Sequence, residues 1–152
     1  MLKLAVIGKD VSKSLSPVMH RFLLGKMGVE CSYESVSIPP ELFSQRAEEL
    51  FSRFDCFNVT IPFKADIMPY LRAMEGDAKT FGAVNTVDAR TRTGYNTDGY
   101  GFMLMLENAG IKVKGARVLV LGAGGAGRSC IYKLAQGGAQ VFAYERDTQR
   151  LN

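Results

Sequence analysis

Asn58-Val59-Thr60-Ile61-Pro62-Phe63-Lys64 reads as the end of a short strand handing the chain over to a helix. The residue before a proline is pushed towards extended geometry, and proline itself suits a first helical turn. Val59 and Ile61 alternate with Asn58 and Thr60, so one edge of the strand is expected to be apolar and the other polar. Thr60 and Lys64 then stand where a strand ends and a helix begins, the end of an open α/β sheet at which ligands bind. A lysine in a first helical turn opposes the helix dipole, which suggests a partner anion or a function.

Working outward, Leu2 to Gly8 reads as a buried strand and Lys9 to Ser16 as a polar turn. Pro17 opens a helix that runs to about Met27 and stops at Gly28. Cys31 to Ile38 alternates and is rich in β formers. Pro39-Pro40 starts another helix, with Leu42, Phe43, Ala47, Leu50 and Phe51 on one side, and Phe54 to Ile61 is the third strand. One or two short helices are expected over Ala65 to Phe81, broken near Pro69 and Gly76. Ala83 to Asp88 and Gly94 to Asn96 flank a basic turn as two short strands. Asp98 or Thr97 is expected to cap a helix that reaches about Asn108 and stops at Gly110. Strands alternating with helices imply an α/β fold, a mainly parallel sheet with helices on both faces.

The character of the chain then changes. Arg117 to Leu121 is an apolar strand, Gly122-Ala123-Gly124-Gly125-Ala126-Gly127 follows at once, and a helix is expected from about Arg128 to Gln136. Ala139 to Tyr144 reads as another strand, ending in Glu145. This is the fingerprint G-x-G-x-x-G in the setting it requires, between a strand and a helix, with an acidic residue ~20 residues on. Gly122 permits the tight turn, Gly124 lets a pyrophosphate approach, and Gly127 lets the helix pack closely. Glu145 would accept from a ribose 2′-hydroxyl and repel a 2′-phosphate, which favours NAD, whereas Arg146 could pair with the phosphate of NADP. A boundary is expected between about Asn108 and Lys114, giving domains 1–110 and 111–152, the second holding only the first β-α-β unit. A dinucleotide-binding half needs more strands than that, so the chain reads as part of a longer protein.

Composition narrows the class. The chain has 152 residues, 47% of them apolar and 22% charged, with a net charge of +4. Its Lys and Arg residues are scattered, which does not suggest nucleic-acid binding, though the positive balance can draw small anions. No signal peptide is visible, and no apolar run nears the ~20 residues of a membrane span. Cys31, Cys56 and Cys130 are odd in number and lack metal-ligand spacing. They read as buried reduced thiols of a cytoplasmic protein that binds no metal.

Three further polar clusters fall at junctions: Ser14-Leu15-Ser16, Asn85-Thr86, and Asn96-Thr97-Asp98-Gly99. With Thr60 and Lys64 they offer hydroxyls, amides, one cation and one anion, an inventory that suits a polyhydroxylated small acid. These motifs, with Pro17, the run Gly82 to Thr86 and the glycine loop, occur in one order along nearly the whole chain, and in this the sequence resembles the shikimate dehydrogenase family, including its quinate/shikimate branch.

The resemblance implies a substrate domain, a Rossmann domain for NAD or NADP, and reversible reduction of 3-dehydroshikimate to shikimate on the route to aromatic amino acids. It implies that Ser14 and Ser16 bind the substrate carboxylate, that Thr60, Asn85 and Asp98 bind ring hydroxyls, and that Lys64 and Asp98 form the catalytic pair. Gly122, Ala123, Gly124, Gly125, Ala126, Gly127, Glu145 and Arg146 would hold the cofactor. Glu145 departs from the asparagine usual in NADP-specific members. Serine at both Ser14 and Ser16 leans towards shikimate over quinate. A monomer or homodimer is expected, and a substrate-binding module without turnover is the alternative for the chain as it stands.

Overall fold

The computed structural model describes residues 1–146; residues 147–152 lie outside them. The chain divides into two compact units, Met1–Asn96 and Thr97–Asn152.

The first unit is built on a six-stranded sheet of order β2-β1-β3-β5-β6-β4. Its strands are β1 (Leu2–Gly8), β2 (Cys31–Ser37), β3 (Cys56–Val59), β4 (Ala73–Met74), β5 (Thr86–Asp88) and β6 (Thr93–Tyr95). Strand β1 pairs in parallel with β2 and β3, as β4 does with β6. Strands β3, β5 and β6 pair antiparallel through the hairpin predicted around the basic turn. Helix α1 (Ser16–Lys26) carries β1 to β2, and α2 (Phe43–Arg53) carries β2 to β3.

Side chains alternate across this sheet, and each face has its own core. Ala5, Ile7, Phe57, Val59 and Val87 join Phe43, Ala47 and Leu50 of α2 on one side. Leu4, Val6 and Tyr33 form the other, where Leu24 of α1 packs. Phe63 is fully buried and stacks on Phe43 with ring centroids 4.1 Å apart, which contributes about 2–3 kcal/mol by area.

The segment after Pro62 departs from expectation. Residues 61–67 form turns instead of an α-helix, followed by a 3-10 turn over Met68–Tyr70. Pro69 accounts for this: inside a helix it would leave a carbonyl without its donor and clash with the preceding turn. The bonds that form instead are tight, Phe63 N–H to the Thr60 carbonyl and Met68 N–H to that of Ala65. Lys64 therefore does not face a helix dipole. Strand β3 ends at Val59, so Ile61 lies beyond the pleat and is 77% exposed, not on an apolar edge. The stretch to Phe81 holds β4 and one short helix, α3 (Asp77–Phe81).

The second unit opens with α4 (Asp98–Asn108), which packs on α5 (Gly125–Gln136). Helix α4 thus belongs with the glycine loop, and the division falls ahead of it, not near residue 110. Thr97 occupies the cap position and Asp98 is the first helical residue. Gly99 makes the helix pair possible, because a Cβ there would come within 2.8 Å of Lys133 Cγ and 3.1 Å of the Ser129 carbonyl oxygen. Strands β7 (Arg117–Leu121) and β8 (Gln140–Tyr144) pair in parallel. Leu119 opposes Phe142 and Leu121 opposes Tyr144, all four exposed. Strand β7 is therefore only half covered, although its sequence reads as an apolar strand.

The three cysteines are free thiols, half-buried instead of fully buried. Among the described residues no helix is long and apolar enough to cross a membrane, and no group of three His, Cys, Asp or Glu side chains could hold a metal ion.

Candidate active site

In the first unit, the carboxyl ends of β1 and β3 meet the loop that follows β1. Thr60 N–H donates to the Ile7 carbonyl at 2.8 Å, and Lys9 N–H to that of Ile61 at 3.2 Å. The loop is anchored where Val11 N–H donates to Ser37 Oγ at 3.1 Å. Between them is an open hollow of about 440 Å³ lined by Asp10, Val11, Lys13, Ser14 and Thr60. Ser14 and Thr60, expected from sequence, thus share one cleft. Lys13 and Asp10 were not anticipated, since nothing in the local pattern says which residues of a polar turn face inward.

Ser14 Oγ accepts the Ser16 N–H at 3.2 Å, and Ser16 is the first residue of α1. An anion here would meet hydroxyls, a helix amino terminus and the Lys13 ammonium together. Gly8 shapes the cleft, because a Cβ on it would come within 2.6 Å of Thr60 Cγ2, 2.7 Å of Val11 Cγ1 and 3.3 Å of the Ile61 carbonyl oxygen. Gly8→Ala is expected to displace Thr60 and weaken ligand binding by about tenfold while the unit stays folded, read by ligand titration alongside a melting curve.

Lys64 and Asn85 are held by the backbone. The Lys64 carbonyl accepts the Val84 N–H at 2.8 Å, and Asn85 sits between the Val59 N–H and the Tyr95 carbonyl, at 2.8 and 2.9 Å. Both residues are half-buried. Asn58, quoted above without a role, bonds to the Asn85 carbonyl and to Thr86 Oγ1, and accepts the Tyr33 O–H at 2.6 Å. His20 is half-buried and stacks on the Tyr33 ring at 4.9 Å.

Burial pushes the Tyr33 hydroxyl up to about 12, with the Ser16 hydroxyl pulling the other way. Because the folded value exceeds the unfolded one, Tyr33 stabilises the fold fully below pH ~10, and that contribution is lost as pH rises towards 12. Alkaline absorbance titration should therefore show one tyrosine ionising near pH 12, absent in Tyr33→Phe.

In the second unit, the glycine loop adopts the geometry its spacing requires. Gly122 has φ of 99°, a conformation that side chains disfavour. Gly124 is extended and caps α5, which begins at Gly125, three residues earlier than expected. A Cβ on Gly127 would overlap the Gly122 carbonyl oxygen. Beyond the chain neighbours and the helix's own backbone, no described atom comes within 4 Å of a Cβ placed on Gly124 or Gly125, so that side of the loop is open. Glu145 turns back onto the loop, where its Oε2 accepts the Ala123 N–H at 2.8 Å, and the exposed Arg146 follows. Asp98 is half-buried and lies close enough to Cys130 to raise that thiol, after burial.

Comparison with known proteins identifies the family. The family model for the shikimate dehydrogenase substrate binding domain matches residues 6–87. The chain belongs to the shikimate dehydrogenase family. A relative from Thermus thermophilus, a shikimate dehydrogenase (NADP(+)), is 42% identical over 152 residues, which is 99% of this chain and 57% of that protein. The crystal structure of shikimate 5-dehydrogenase from the same organism, in complex with NADP(H) and shikimate, superposes with a TM-score of 0.90 at 41% identity, over 99% of this chain and 58% of that one. Shikimate dehydrogenase from Aquifex aeolicus gives 0.92 at 40% identity, over 99% and 58%. The chain therefore spans somewhat more than half of the shikimate dehydrogenases it matches.

Proposed function

We propose that this chain carries the shikimate-binding part of an oxidoreductase that interconverts 3-dehydroshikimate and shikimate with a nicotinamide dinucleotide. The observation that carries the reading is the cleft where Ser14, Thr60 and Lys13 line one hollow at the carboxyl ends of the strands. Ser14, Ser16 and Lys13 hold the substrate carboxylate. Thr60 and Asn85 hold ring hydroxyls, and Asp98 binds another.

When bound at Gly122 to Gly127, the nicotinamide dinucleotide supplies the hydride for the ring carbonyl or takes it back. Lys64, as an ammonium, stabilises the oxygen that gains charge and gives it a proton; in reverse, as an amine, it takes the hydroxyl proton. Asp98 is the carboxylate partner of Lys64 in this exchange.

Two features bear on the cofactor. The carboxylate of Glu145, held on the Ala123 N–H, disfavours a 2′-phosphate and favours NAD. Arg146, beside it, favours NADP, the cofactor named for the Thermus thermophilus relative. Serine at positions 14 and 16 favours shikimate over quinate.

The deciding experiment has two arms. Shikimate is titrated into the 152-residue chain, followed by nuclear magnetic resonance. Turnover is measured in a chimera joining residues 1–152 to the carboxy-terminal remainder of the Thermus thermophilus relative, crossing shikimate and quinate with NAD and NADP. Saturable shikimate binding and nicotinamide reduction are expected. Binding by the chain with an inert chimera would leave a binding module, and no binding at all would end the reading.

A further inference from the structure

Asn96 is a polar residue buried in the first unit, 7% exposed, and its side chain reaches back 13 positions along the chain. Its Nδ2 donates to the Ala83 carbonyl at 2.9 Å. The Val84 N–H donates to the Lys64 carbonyl at 2.8 Å. That carbonyl and that N–H are the opposite poles of one peptide unit, the planar trans linkage between Ala83 and Val84. Asn96 therefore holds one end of a rigid plate whose other end holds Lys64.

The direction of the first bond follows from chemistry. A backbone carbonyl only accepts, so the Asn96 atom facing Ala83 is the amide nitrogen. The plate is enclosed, with Ala83 9% exposed and Val84 fully buried. On its far side Lys64 lies in turns, so its carbonyl joins no helical ladder and is taken up by Val84. Asn85, next along, is fixed separately. Its N–H donates to the Tyr95 carbonyl, and its own carbonyl accepts the Val59 N–H.

We propose that Asn96 is a positioning residue for Lys64, acting through the Ala83–Val84 peptide. Two effects transmit it. Donation into the carbonyl polarises the peptide and makes the Val84 N–H a stronger donor towards Lys64. Removal of the amide leaves a buried carbonyl without that donor, which costs more than one paired bond gains. The plate then turns towards a new donor, and because it is planar its N–H turns with it, away from Lys64. The proposal rests on the reading of Lys64 as the proton donor given above.

The test uses two substitutions. Asn96→Leu keeps the shape of the side chain and removes the donor; Asn96→Ala removes it by truncation and stands in if the leucine variant does not fold. Amide hydrogen exchange in the 152-residue chain reads the link itself. Val84 should exchange about tenfold faster, while the Val59 and Asn85 amides change less than about twofold. Turnover in the chimera reads the consequence. There kcat should fall about tenfold and KM for shikimate should move less than about twofold, the mark of a misplaced proton donor among binding groups that stay in place. In a Lys64→Ala background the same substitution should cost less than about twofold, because the residue it acts through is gone. Unchanged Val84 exchange, a rise shared equally by Val59 and Asn85, an unchanged kcat, or a loss that persists in the Lys64→Ala background would each overturn the positioning role alone. An inert unsubstituted chimera would overturn the functional reading and the role with it.

Discussion

Lys64→Ala is expected to lower kcat by about 10² to 10⁴, the range for loss of a positioned general acid, with KM for shikimate changed far less. That corresponds to about 3 to 5 kcal/mol of transition-state stabilisation. The measurement belongs in the chimera with the Thermus thermophilus remainder, where turnover can be followed at saturating shikimate. In the proposed mechanism the effect falls on kcat, because the ammonium acts only when the carbonyl oxygen gains charge, a feature of the transition state and not of the bound ketone. The backbone of Lys64 is pinned to Val84, so losing the side chain should leave the surrounding turns in place. A variant with unchanged kcat and raised KM would reduce Lys64 to a binding residue. If both act on one proton transfer as proposed, an Asp98→Asn change is strongly non-additive with it.

Gly127→Ala should abolish dinucleotide binding, raising Kd by about 10² or more. The added methyl group would occupy the space of the Gly122 carbonyl oxygen, and neither side can yield cheaply. Gly122 is fixed at a φ of 99° and its N–H is bonded to the Tyr144 carbonyl at 2.8 Å, while residue 127 lies in the first turn of α5. Overpacking of this kind typically costs about 1–3 kcal/mol even where a core can adjust. Here relief requires moving the helix amino terminus away from the strand end that it must share with the diphosphate. The chain contains no tryptophan, so the fluorescence of bound NADH or NADPH in the chimera reports binding without background from that residue in this part. Binding within about twofold of the parent would show that the loop tolerates the methyl group.

The alternation of strands with helices, the hairpin at the basic turn and the glycine loop were legible because their signals are local. A continuous apolar run marks β1 and period-2 alternation marks β2, Gly28 closes α1, and Gly122 must take a positive φ. The Ser14 and Thr60 pairing came from resemblance, not from spacing, since the long stretch of chain between them carries no information about which turn faces which strand end. Where local signals competed, reading failed. Pro62 suggests a helix start, yet Pro69 forbids the helix that would follow, and the turns left over expose Ile61.

By itself, then, the sequence determined the α/β class, the order of elements, the family and the conformation of the glycine loop, since each depends on residues a few positions apart. Tertiary structure alone decided that α4 packs with α5, that Lys13 and Asp10 line the cleft, and that Tyr33 reaches Asn85 through Asn58 and Thr86. Those bonds join residues 25 and 28 positions apart: the parallel register of β2, β1 and β3 brings Tyr33 to Asn58, and the antiparallel pairing of β3 with β5 sets Asn58 opposite Thr86. Register is set by the summed burial of whole strands, a property that no single stretch of the chain contains.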